Sequence, residues 1–484
     1  MNLYYETALP IWEDAVVSRH GLARAVVSVL ALTVVSGAAC AQSLQESLAS
    51  AYAGDPRLLA ERAALRAVDE GVPSAQSGWR PTVSINGSVG RRYQNNTLGT
   101  GVSTNDWTSP ASADLTLSQP LWRGGATAAE VEVAENRVFA ARANLVAVEQ
   151  EVLLESATAY ITVVRDQSVV GLSINNEQVF ERQLQATRDR FEVGEVTRTD
   201  VAQAEARLAD TVAQRIRAEG NLEVSRADYR RSVGSLPGEL TFPNVEAFLP
   251  LPGTEDEALA YATQRNPAII SAGFNYRAAL FDISAAAAAL MPQLSLDSAL
   301  RRNWDPNSFF SETDTAEIMA NVTVPLYQSG AEYARVRELQ QTAVQRRRQL
   351  DDARRTVRKR VGQAWEELNA AKAGIRALES SVNANEIALE GVRQEADVGA
   401  RTVLDVLDAE QELFEARVAL VRAKTEATVS AFLLTEVIGG MTAAALRLPV
   451  TLYDPLVHYD DVVDKWIGFD GDFDGVDIFD FGWD

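Results

Sequence analysis

Asp405, Asp408 and Glu412 are the residues of this chain whose type and spacing carry the most chemistry. At 100° per residue on a helix their side chains fall within about 60° of one another. Val403, Leu407 and Phe414 fall on the opposite side. An acidic stripe backed by a packing stripe is either a solvated helix face or, where several copies meet at an axis, a ring of like charge that selects cations. Carboxylates crowded into such a ring raise one another's apparent pKa. A near-copy lies 205 residues upstream (405 − 200), where Asp200, Gln203 and Arg207 take the equivalent places and neutralise the stripe.

Other chemistry is sparse. The only histidines are His20 and His458, and no nucleophile elbow, phosphate loop or metal-spaced cluster is present, so the chain is not read as an enzyme and no cofactor is expected. The net charge of −22 argues against nucleic acid as a partner. Residues 449–484 hold ten Asp against one Lys, about −9 of that charge. Within them Asp470, Asp472 and Asp474 match the start of a calcium loop, but Phe481 stands where the closing Glu belongs. An acidic tail is the better reading, with Trp466, Phe469, Phe473 and Trp483 as possible docking anchors and no partner named by the sequence.

The elements that position the acidic stripe come in two matching sets. Residues 191–208 and 396–413 share a Val-Gly turn, Val193-Gly194 and Val398-Gly399, followed by an Asp-Val helix start, Asp200-Val201 and Asp405-Val406. LSQPLWRGG at 117–125 pairs with VTVPLYQSG at 322–330 at the same offset, and DPRLLAERAALRA at 55–67 pairs with NPAIISAGFNYRA at 266–278 at an offset of 211. Fixed offsets on either side of one insertion indicate a duplicated unit. No proline lies between Pro120 and Pro237, or between Pro325 and Pro449. Proline breaks helix interiors, so these windows predict helical hairpins over about 124–233 and 329–438. Gly125 to Gly194 and Gly330 to Gly399 each span 69 residues, about 100 Å of helix at ~1.5 Å per residue.

Ahead of each hairpin, apolar and polar residues alternate, predicting strands at about 82–91 and 111–119, then at about 293–301 and 316–324. Segments 91–110 and 301–315 read as polar loops. Such strands belong to a small soluble sheet or to a transmembrane β-barrel. Four strands cannot close a barrel, and an open edge cannot face lipid, so a spanning barrel requires several chains, three of which supply 12 strands. At the N-terminus Arg19 and Arg24 precede an apolar run and then Ala39-Cys40-Ala41, the pattern of a cleaved export signal with an unusual acidic leader. The division expected is therefore a signal at 1–41, a first repeat at 42–253, a second at 254–448 and a tail at 449–484.

The duplicated unit, the LSQPLW and VTVPLY segments and the paired VG…DV turns together resemble the TolC family of outer-membrane channel-tunnel proteins over about residues 43 to 448. The resemblance implies a mixed, mainly α fold whose long antiparallel hairpins form an α-barrel, with four strands per chain pooled into a 12-stranded barrel by a homotrimer. It implies an exit duct in the outer membrane of a Gram-negative bacterium, serving efflux or type I secretion. Its partners would be outer-membrane lipid, a periplasmic adaptor at the hairpin tips and an inner-membrane pump of RND or ABC type, with tunnel and tail in the periplasm. It further implies that Asp405 and Asp408 constrict the entrance and that Arg401 pairs with Asp200 to close it. Ala396 stands where the family has a latching Tyr. The competing reading is a periplasmic coiled-coil adaptor, which has one hairpin rather than two.

Overall fold

The computed structural model describes residues 43–97, 103–243, 249, 251–307 and 310–468. All of them belong to one compact unit, Ala41–Asp484. The export signal and the calcium-loop candidates Asp470, Asp472 and Asp474 lie outside the described residues.

The chain opens with three short helices, α1 (Leu44–Gly54), α2 (Pro56–Asp69) and α3 (Gly71–Gln76). Local chemistry sets their starts. Ser43 and Glu46 form a capping box on α1, and Asp55 caps α2 by accepting from the backbone N–H groups of Arg57 and Leu58, with Pro56 in the first turn. Strands β1 (Thr82–Val89), β2 (Arg92–Thr97), β3 (Ser103–Thr108) and β4 (Ala111–Arg123) follow, then a 67-residue helix α4 (Ala126–Glu192) and α5 (Arg198–Val233). The order then recurs with α6 (Glu255–Arg265), α7 (Pro267–Ala287), β5 (Gln293–Asn307), β6 (Phe310–Thr323), a second 67-residue helix α8 (Ala331–Asp397) and α9 (Val403–Val437), before a short α10 (Leu456–Val462). Asn266 and Pro267 start α7 as Asp55 and Pro56 start α2.

The main sheet is antiparallel, in the order β1-β4-β5-β6, so among the described residues β1 and β6 are both free edges. Its register puts Ile85, Leu115, Leu300 and Ala316 in one row and Trp122, Leu294 and Val322 in another on the same face. Ser84, Thr116 and Asp297 belong to the opposite, polar face, where Ser118 donates to Asp297. Ile85, Val89, Ile318 and Val322 are large apolar side chains left exposed.

The strands differ from the expected ones. Within the segment 91–110, expected as a loop, residues 92–97 and 103–108 are strands: β2 and β3 pair in full register from Arg92–Thr108 to Thr97–Ser103. β5 and β6 likewise continue well into 301–315. Beyond the apolar band both faces of a ladder are wet, so its residues carry no alternation to read, while the backbone bonds continue.

Where the long helices pass the short ones a single core belt forms, including Leu48, Leu58, Leu153, Tyr160, Tyr229, Phe432 and Met441. Buried hydroxyls there find partners: Tyr160 donates to the Thr241 carbonyl at 3.0 Å, and Ser47 and Tyr229 share a hydrogen bond at 2.8 Å. Along α8 the buried positions Ala343, Leu350, Val357 and Ala364 recur every seven residues, with Val361 and Leu368 between heptads. That is a coiled-coil seam. It leaves most of α8 unburied within one chain, including Val344 and Ile387.

Candidate functional site

The two helical hairpins end in two turns built alike. At the first, Gly194 has φ +80°, its N–H donates to the Phe191 carbonyl at 3.0 Å, and Glu195 N–H donates to Arg190 at 2.9 Å. At the second, Gly399 has φ +75°, with Gly399 to Ala396 at 3.0 Å and Ala400 to Glu395 at 2.8 Å. A left-handed glycine satisfying the last helical carbonyls is a helix C-cap, and it explains why glycine follows Val193 and Val398.

The next helix starts with a capping box in both turns. Thr197 accepts from Asp200 N–H at 3.3 Å while Asp200 accepts from Thr197 N–H at 2.7 Å and from its hydroxyl at 2.8 Å. Thr402 and Asp405 repeat this at 3.3, 2.9 and 2.8 Å. Asp200 and Asp405 are therefore third residues of their helices, spent in part on their own caps. The Thr402 backbone N–H, and next its hydroxyl, hold the Asp405 carboxyl below its usual range, with Arg401 adding to the effect and slight desolvation opposing it. Within one chain the shift is downward, opposite to the rise expected of a crowded ring.

Asp408 is not free. Arg207 of α5 donates to it across the hairpins at 2.5 Å. Arg207, which neutralises the stripe of its own helix in the sequence, is carried by the fold to the second hairpin, so the Asp408 charge is paired within the chain. Arg401 donates to Glu395 at 2.8 Å and lies 4.0 Å from Asp405. Among the described residues of the single chain, Arg401 and Asp200 form no ion pair; each is held by its own turn.

Sequence reasoning missed what holds the tips together. Arg188 pairs with Glu205 at 2.7 Å, and Arg393 pairs with Glu410 at the same separation of 17 residues. The signal was present in the Ala-Glu pair shared by both turns, but its arginine partners lie a helix away. Between the hairpins a small core of Phe180, Leu184, Ala204, Val403 and Leu407 is packed, and Arg190 reaches Asp397 at 3.7 Å.

The outer membrane efflux protein family model matches residues 48–235 and 258–440. The chain belongs to the outer membrane efflux protein family. It is 34% identical to the outer membrane efflux protein BepC of Brucella suis over 90% of this chain and 94% of that one. It is 29% identical to the outer membrane protein TolC of Vibrio cholerae, over 85% and 94%. The solved structure of CusC superposes with a TM-score of 0.74 at 19% identity, covering 83% of this chain and 92% of that one, which shows a shared fold.

As a member of this family the chain is an outer-membrane exit duct, and its relatives include efflux proteins and protease-secretion proteins. The family is one of channels rather than enzymes. Its mainly helical fold with a few antiparallel strands is that of the solved channels, and the adaptor reading, with one hairpin, falls. No helix among the described residues is long and apolar enough to cross a membrane.

Proposed function

We propose that three copies of the chain close into one duct, with twelve strands in the outer membrane and twelve helical lengths below. One observation carries this: a four-stranded sheet with two free edges and an exposed apolar face, in an outer-membrane protein. Unpaired backbone groups cannot stand in hydrocarbon, so β6 of one copy pairs with β1 of the next, and Ile85, Leu115, Leu300 and Ile318 face lipid. The exposed side of α8 then meets a neighbouring hairpin. Matching tips in both halves support a duplicated unit, with the repeats at 42–253 and 254–448, a signal at 1–41 and a tail at 449–484.

At the periplasmic end the tips form the entrance. Asp405 is its main cation-selecting charge, Asp408 contributes what Arg207 leaves unpaired, and Arg401 meets Asp200 of an adjacent hairpin when the entrance is shut. The turns at Val193-Gly194 and Val398-Gly399 dock a periplasmic adaptor, which links the duct to an inner-membrane pump of RND or ABC type. No cofactor takes part.

Unheated outer-membrane protein should run on gels as a trimer and heated protein as a monomer. In planar bilayers Asp405→Asn/Asp408→Asn should reduce cation selectivity and divalent block, and unchanged values would sink the ring; Asn is chosen over Ala to keep the cap of α9. Arg401→Ser should raise single-channel conductance, and no change would count against the latch.

A further inference from the structure

The lower end of the sheet carries an apolar surface on each of its free edges. β1 leaves the helical region at Thr82 and β6 returns to it at Thr323. Beside the start of β1, Arg80 grips the C-terminal segment. Its Nη1 donates to the Lys465 carbonyl at 2.7 Å, and its guanidinium lies 5.0 Å from the centre of the Trp466 ring. So held, Trp466 is still 65% exposed and Ile467 is 91% exposed. Just past the end of β6, Leu326 and Tyr327 are 90% and 80% exposed before α8 begins at Ala331.

Four large side chains thus stand in water at the helical end of the sheet, two on each edge. One chain does not bring them together, because β1 and β6 are three strand spacings apart, about 14 Å at ~4.8 Å each. Two chains do. β1 and β6 run in opposite directions in the sheet, so pairing β6 of one copy with β1 of the next is antiparallel. That pairing sets the Thr323 end against the Thr82 end.

We infer that the segment 465–467 is a staple of the subunit seam: Arg80 presents Trp466 and Ile467 to Leu326 and Tyr327 of the adjacent copy. The occupant is a second copy of this chain, because the surface continues the edge along which copies must join. The staple rests on the trimer proposed above. It also gives the segment 449–468 a use, carrying the chain from the core belt to the seam, with α10 on the way and Tyr453 N–H bonded to Tyr52 at 3.0 Å.

Cysteines at the two surfaces test it. Ile467→Cys/Tyr327→Cys, oxidised in native outer membranes, should give a ladder of covalent dimers and trimers that reductant collapses, while each single variant gives none. A disulfide needs Cα atoms within about 7 Å, so a bond inside one chain is not the expected product. Arg80→Ala in the same background should lower the yield several-fold. Trp466→Ala/Ile467→Ala should lower the temperature at which unheated trimers dissociate by roughly 5 °C. Native trimers with no ladder would overturn the staple alone; wild-type protein that runs as a monomer unheated would overturn the trimer and the staple together. Quenching of Trp466 by brominated phospholipid, lost in Trp466→Phe and unaccompanied by a ladder, would assign the surface to the bilayer and overturn the staple as well.

Discussion

Asp405 and Asp408 have the same side chain, one helical turn apart, and opposite circumstances. Asp405 is tied to Thr402 of its own turn, and Asp408 to Arg207 of the other hairpin. Arg207→Gln frees Asp408, and divalent cations should then block the channel at a roughly two- to fivefold lower concentration, as loss of an exposed ion pair worth up to about 1 kcal/mol implies. Bilayer titrations check this, with folding expected to change little. Asp405 has a depressed folded pKa, so what its charge contributes is present above the ordinary carboxylate range and lost only as pH falls through the lower folded value. Thr402→Val removes the hydroxyl that helps depress it. Divalent block should then disappear at a higher pH than in the wild type.

Among the elements, the tip turn is the easiest to perturb cleanly. A Cβ at Gly399 meets nothing within 4 Å, so the cost of Gly399→Ala is the left-handed backbone alone, about 1–2 kcal/mol. Hydrogen exchange should accelerate over 395–405 while the melting temperature of the protein stays put. The belt is sensitive in another way. Asp69, at the end of α2, is fully buried and neither carboxylate oxygen has a hydrogen-bond partner. Burial pushes its pKa up, Arg142 and His458 pull it down, and Glu70 raises it; Tyr453 and Tyr459 also face this group. With the folded pKa above the unfolded one, the native state holds the proton longer, and stability falls as pH rises from the ordinary carboxylate range through the folded value. Asp69→Asn should flatten that slope in thermal melts across pH 4 to 8, on the order of the carboxylate range and above.

For the whole molecule, much was legible because long-range order was written locally. Two proline-free windows, each divided by a Val-Gly turn, announced the long helices, and alternation around Val83, Ile85, Leu115 and Leu117 announced strands. β2 and β3 were not legible, since Tyr93 and Trp107 pair inside a ladder whose other residues are polar on both faces. Nor was the partner of Arg207, because spacing along one helix says nothing about which side chain approaches from another. The grip of Arg80 on Lys465 and Trp466 spans 385 residues and had no local sign at all.

The amino-acid sequence by itself determined the helix lengths, the two glycine turns, the helix starts at Asp200-Val201 and Asp405-Val406 and the position of every acid on the second tip. These depend on residues within a few positions of one another, where backbone sterics and side-chain reach decide the outcome. Only the tertiary structure decided which of those acids is free. By laying α5 against α9 it places Arg207 on Asp408 and leaves Asp405 to its cap. A charge is neutralised by what lies beside it in space, and hairpins folded from distant segments choose that neighbour.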